Sequence, residues 1–116
     1  MNDCVFCKIV KKIIPVDFIY QDGLVAAFND ANPLSPAHVL IIPKRHIPSI
    51  NDLKEDDEEL AGRMIMVAQK IAKSLNISEK GYKLLIRVGK HGGQEISHVH
   101  LHLLGGAQLA ENITNS

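Results

Sequence analysis

What the sequence lacks narrows the field first. Charge of neither sign dominates, with 13 Lys plus Arg against 13 Asp plus Glu. A broad basic face for nucleic acid is therefore not expected. No apolar run approaches the roughly 20 residues that a membrane helix needs, so no membrane partner is expected. The two cysteines stand three positions apart, too few and too close for a disulfide framework. The opening MNDCVFCKIV puts no charged stretch before a long apolar one, and no signal peptide is expected. These absences point to the cytoplasm, where thiols stay reduced. No internal repeat or low-complexity segment is visible.

What is present is an ordinary globular balance, 46% hydrophobic and 22% charged over 116 residues. That length fits one domain, 1–116, with a core over about 4–106 and a tail over 107–116. A chain of this size leaves much surface exposed, so a dimer would add burial. Periodicity predicts a helix over 5–14 that ends at Pro15. A strand over 16–21, the turn signal Asp22-Gly23 and a strand over 24–29 read as a hairpin. Asn32, Pro33, Ser35 and Pro36 mark a loop, and 38–43 reads as a buried strand. The stretch 49–52 supplies N-caps for a long helix. Its first turns hold Glu55, Asp56, Asp57, Glu58 and Glu59, and Lys70 and Lys73 lie near its end, which suits the helix dipole. Leu60, Met64, Val67, Ile71 and Leu75 form its buried stripe. Strands over 82–88 and 98–104 flank a glycine-rich turn over 89–93. The sum is an α+β domain with about five strands and two helices.

Three of the six histidines, His98, His100 and His102, occupy alternate positions between Val99, Leu101 and Leu103. On a strand of period two, one face is then imidazole and the other aliphatic. The imidazole face must meet solvent, a ligand or a metal, because each buried ring nitrogen needs a partner. A solvated polar face and a purely metal-binding face are two readings. The third is chemistry on phosphorus: imidazole is a nucleophile and an acid–base group near neutral pH. One ring attacks while a neighbour donates to a phosphate oxygen. The segment Gly92-Gly93-Gln94-Glu95 precedes the histidines, and glycines let backbone N–H groups approach an anion. Cys4 and Cys7 form a C-x-x-C pair that reads as a redox pair, half a zinc site or two unrelated thiols. The βαβ context of a redox pair is absent. His91 reads as a solvated loop residue, and 52–59 as a solvated helix start. Met64 and Met66 read as core or interface filling, and Lys44 and Arg45 as a solvated strand end.

The run His98-Val99-His100-Leu101-His102-Leu103-Leu104 resembles the H-φ-H-φ-H-φ-φ signature of the histidine-triad (HIT) superfamily. Other segments agree with it: Ala27-Phe28-Asn29-Asp30 with Ser35-Pro36-Ala37-His38, then Ile42-Pro43-Lys44-Arg45-His46-Ile47 and Gly92-Gly93-Gln94. Gly105-Gly106 after the triad is more similar to the Hint branch, the nucleoside phosphoramidases, than to the Fhit branch. The resemblance covers about 4–106. It implies a nucleoside 5′-phosphoramidate or related nucleotide as substrate and a homodimer joined edge to edge. It implies that His100 attacks the α-phosphate, that His102 contacts its oxygen and that His38 supports His100. It places Asp30 on the ribose hydroxyls and Phe28 and Ala31 against the base, with purine nucleotides (AMP, GMP) as ligands. Gly93, Gln94 and the backbone of Glu95 would cradle the phosphate. It also implies structural zinc on Cys4, Cys7, His46 and His98, which would leave His98 unavailable for proton transfer.

Two positions depart from the pattern. Arg87 stands on the phosphate side where Asn or Gln is common, and Glu95 stands where many Hint members have Ser. Three functions follow from the resemblance and the residues together. One is hydrolysis of P–N bonded nucleotides of the AMP-lysine type through a nucleotidyl-histidine. The second is hydrolysis or transfer at the P–O bonds of dinucleoside polyphosphates or nucleotidylated sugars. The third is a nucleotide- and zinc-binding regulatory module.

Overall fold

The structure is a computed structural model that describes residues 3–111, so the tail expected over 107–116 is described only as far as 111. The first helix, α1, spans Val5–Val10. It stops earlier than the sequence suggests because the backbone closes on itself before Pro15. Ile13 N–H donates to Lys8 O and Lys12 N–H to Ile9 O, with Lys12 in the left-handed region at φ 62°. This is a Schellman closure, made here without glycine.

Five strands follow the expected order: β1 (Phe18–Gln21), β2 (Val25–Asn29), β3 (Ala37–Pro43), β4 (Lys83–Ile86) and β5 (Leu101–Gly105). β1, β2 and β4 are shorter than the pattern implies, β3 gains Ala37, and β5 starts later and ends one residue further on. They form one antiparallel sheet in the order β1-β2-β3-β5-β4. The Asp22-Gly23 hairpin is present, with Asp22 Oδ1 accepting from the N–H groups of Leu24 and Val25. The last strand begins at Leu101, not at residue 98. His98 and His100 therefore lie in the approach to the ladder. There Val99 N–H donates to Ile47 O.

The second helix, α2, spans Glu58–Ser74. Ser49 caps a short 3-10 turn, Ile50–Asp52, and a second turn, Glu55–Asp57, leads into the helix. So the acidic run is not all a solvated helix start. Asp57 is buried, where it accepts from Lys54 N–H and pairs with Arg45, which is thus more than a solvated strand end. Leu60, Met64, Val67, Ala68, Ile71 and Ala72 form the buried face of α2. Leu75 does not join it: it caps the helix and is exposed, since Asn76 at φ 59° turns the chain away. Met66 also points outward.

The sheet buries both faces. Val25, Ala27, Val39, Ile41, Leu101 and Leu103 pack against α2. Ala26, Phe28, Leu40 and Ile42 form the opposite face with Phe6 and Ile9 of α1. Burying an aliphatic or aromatic side chain in either layer contributes roughly 1.5–3 kcal/mol. This two-sided cover explains why β3 is apolar apart from His38. No helix among the described residues is long and apolar enough to cross a membrane.

Candidate active site

The alternation that separates histidine from aliphatic side chains holds, but the imidazole face is not open to solvent. α1 lies over it, and the Phe6 ring meets His98 edge-on at 5.6 Å and His100 at 5.2 Å. His98 is fully buried and His100 nearly so. Phe6 carried no signal beyond hydrophobic character, and the pattern missed its role as a cover. Burial also settles charge. It pushes the pKa values of His98 and His38 down, in His38 against the raising effect of Asp30. It holds His102 down to about 4, helped by His100, His38 and Arg87. These three rings are neutral at neutral pH, so each has one N–H and one lone pair.

Which nitrogen carries the proton follows from the backbone. A carbonyl only accepts, so His98 Nε2, 2.8 Å from Pro43 O, is protonated. Its Nδ1 lone pair then faces Cys4 Sγ at 3.3 Å, Cys7 Sγ at 3.6 Å and His46 Nδ1 at 3.2 Å. Cys7 Sγ lies 3.2 Å from His46 Nδ1. All four donor atoms fall within 4.8 Å of one another, a group that can hold a metal ion. A tetrahedral ion with bonds of about 2.0–2.3 Å separates its donors by roughly 3.3–3.7 Å, close to these four separations, so the two thiols and two imidazoles fit such an ion. The Pro43 carbonyl supplies the outer partner that orients a ligating imidazole.

His100 Nδ1 lies 2.7 Å from His98 O, so Nδ1 donates and Nε2 keeps a lone pair. On the far side of the same segment the order reverses. Leu34 N–H donates to His38 Nδ1 at 3.1 Å, which places the His38 proton on Nε2. That proton is donated to His102 Nδ1 at 2.9 Å, with Asp30 Oδ2 at 3.5 Å. His102 is left with its proton on Nε2, a buried atom that finds no partner among the described residues. An unsatisfied buried N–H is a donor waiting for an acceptor. Asp30, His38 and His102 also sit close enough to hold a metal. The tautomers argue against one, because Leu34 N–H occupies the His38 lone pair and a metal on Nε2 would displace its proton. None of the backbone partners, Leu34 N–H, Pro43 O and His98 O, has a signature in sequence.

The glycine turn shapes the other wall. A Cβ on Gly92 would sit 2.4 Å from Val88 O, so only glycine fits there. The backbone N–H groups of Gly93 and Gln94 close the turn onto Lys90 O and Gly89 O. The Gln94 side chain ties it down, accepting from Gly89 N–H and donating to Pro48 O and Ile96 O. Glu95 and His91 are exposed. Phe28 is buried edge-on to Phe6 and Phe18, Asp30 sits just past the end of β2 with Oδ1 accepting from Asn32 N–H, and Ala31 is exposed beside it.

A family model for the HIT domain matches residues 11–109. The chain is 50% identical over 108 residues to the purine nucleoside phosphoramidase of Escherichia coli strain K12, which covers 93% of this chain and 91% of that protein. It is 42% identical over 105 residues to the protein HitA of Neisseria gonorrhoeae, covering 90% and 97%. The crystal structure of a HIT family hydrolase from Legionella pneumophila Philadelphia 1 superposes with a TM-score of 0.90 at 46% identity, covering 93% of this chain and 96% of that one. Histidines of fixed tautomer, their partners and these likenesses lead to one assignment: the chain belongs to the HIT family.

Proposed function

We propose that this protein is a hydrolase of nucleoside 5′-phosphoramidates and related 5′-monophosphate derivatives, acting through a nucleotidyl-histidine on His100. The observation that carries the reading is the His100 Nδ1 to His98 O bond of 2.7 Å, which leaves a lone pair on Nε2. That nitrogen attacks the α-phosphorus, a P–N bond to His100 forms, and the bond to the leaving amine breaks as the amine takes up a proton. Water then attacks the same phosphorus, returns the electron pair to Nε2 and releases the nucleoside 5′-monophosphate. His102 Nε2–H donates to a non-bridging oxygen, and His38 holds His102 in the donating tautomer. Because the N–H groups of Gly93 and Gln94 close the turn, Glu95 N–H is the backbone donor of that segment left for the phosphate. Asp30 takes the ribose hydroxyls, and Phe28 and Ala31 border a purine.

The ion held by Cys4, Cys7, His46 and His98 is zinc, given two thiolates and two imidazoles. It supplies structure rather than chemistry, fixing α1 and the segment that carries His100. The protein works as a homodimer through β4, an edge strand of the sheet that carries the exposed Leu84. It acts in the cytoplasm, where the thiols stay reduced. The test is turnover of an adenosine 5′-phosphoramidate carrying a fluorescent amine. Amine release by wild type and none by His100→Ala supports the reading; equal release by both overturns it.

A further inference from the structure

Arg87 is a half-buried cation that forms no hydrogen bond or ion pair among the described residues. It follows β4 directly. The β4–β5 register pairs Leu85 with His102 and Ile86 with Leu101, so one more step sets Arg87 opposite His100. Residues 85 and 87 share a face of period two, which is the imidazole face. The arginine stem passes the glycine turn, where a Cβ on Gly93 would lie 3.6 Å from Arg87 Cδ. Its charge is felt at both His38 and His102, lowering their pKa values. Both those rings are neutral, so the guanidinium charge beside them has no counter-charge of its own. A guanidinium is a rigid fork that matches carboxylate or phosphoryl oxygens bidentately. The α-phosphoryl group meets His102 Nε2–H, which leaves the fork for a second anion.

We propose that Arg87 determines specificity by selecting nucleotides whose leaving group carries an oxyanion close to the scissile bond, either a carboxylate or a further phosphoryl group. The inference rests on His100 as the attacking residue and deepens that reading by naming a substrate class. The bond made, from His100 Nε2 to the α-phosphorus, is the same in both cases; the bond broken is P–N for an amine and P–O for a phosphoryl group. An amine that bears a carboxylate leaves with a proton, and a phosphoryl leaving group departs as the anion.

The experiment compares two adenosine 5′-phosphoramidates, one linked through the amine of glycine and one through that of glycinamide, which differ only in the carboxylate. The relative affinity of ADP over AMP is measured alongside. Wild type is set against Arg87→Gln and Arg87→Lys. A kcat/KM ratio of roughly tenfold or more for the glycine adduct, collapsing toward unity in Arg87→Gln and partly restored in Arg87→Lys, identifies a carboxylate. An unchanged amide ratio with a tenfold fall in ADP preference identifies a phosphoryl group. Both ratios unchanged in Arg87→Gln overturn the proposal. If wild type hydrolyses neither adduct, the phosphoramidase reading fails, while the ADP to AMP ratio still decides the role of Arg87.

Discussion

His98 and His102 lie four residues apart on one segment, yet they turn opposite ring nitrogens to opposite tasks. His98 gives its Nε2 proton to Pro43 O and offers the Nδ1 lone pair to two thiols and a second imidazole. His102 receives at Nδ1 from His38 and keeps on Nε2 a proton with no partner among the described residues. Both rings are buried enough to be neutral, so each must choose one tautomer, and a single backbone group chooses it. A carbonyl against Nε2 makes a ligand at Nδ1, and an amide two rings away makes a donor at Nε2. His100 stands between them with its lone pair on Nε2, beside the donor of His102, with ring centroids 5.0 Å apart.

Four measurements separate or break this contrast. Replacing His100 by Ala is expected to lower kcat/KM at least about a thousandfold without changing metal content, because His100 belongs to neither cluster's ligand set. A parallel loss of metal would show that the two clusters are not independent. Cys7→Ser is expected to remove the metal, about one ion per chain in wild type, and to cost about 3 kcal/mol in urea unfolding. Metal analysis of wild type purified without chelators that finds none would sink the site. His38→Ala removes the hydrogen bond that fixes the His102 tautomer but no ligand of the Cys4, Cys7, His46 and His98 group. It is expected to lower kcat about a hundredfold with metal retained, and unchanged kcat would discard that role of His38.

The smallest effect is on pH. His102 is held near 4 in the fold, below its ordinary 6.5, and His38 is also lowered. Between those values the unfolded chain binds more protons, so stability is fully present above about 6.5 and is lost as pH falls toward 4. Each such group contributes at most about 1.4 kcal/mol per pH unit in that window. The urea midpoint of His102→Gln is therefore expected to fall less than that of wild type between pH 7 and 4. Parallel curves would show that His102 is not the titrating group.

The strands, the hairpin and the separation of histidine from aliphatic residues were legible because side-chain period reports the sheet pleat directly. Helix ends were not. α1 stops through a left-handed Lys12, a residue without special turn propensity, and the N-caps read over 49–52 open a 3-10 turn rather than α2, which starts only after a second such turn. Which of solvent, ligand or metal the imidazole face would meet was open for a similar reason, since α1, which covers it, comes from the far end of the chain. Asp57 and Leu75 were misjudged because burial depends on what packs beside them, not on their own pattern, whereas Arg45 stays exposed as expected and adds only its pairing with Asp57.

By itself the sequence determined the chemistry on offer: three alternate imidazoles, a close pair of thiols and a glycine-rich turn before them. Those depend on residue type and spacing, which are local. Only the tertiary structure decided which nitrogen of each ring is a donor and which residues share an ion. It also decided that Arg87, which forms no hydrogen bond or ion pair among the described residues, follows β4 on the side of His100. These depend on backbone carbonyls and amides brought together from distant segments, and every residue carries the same backbone groups.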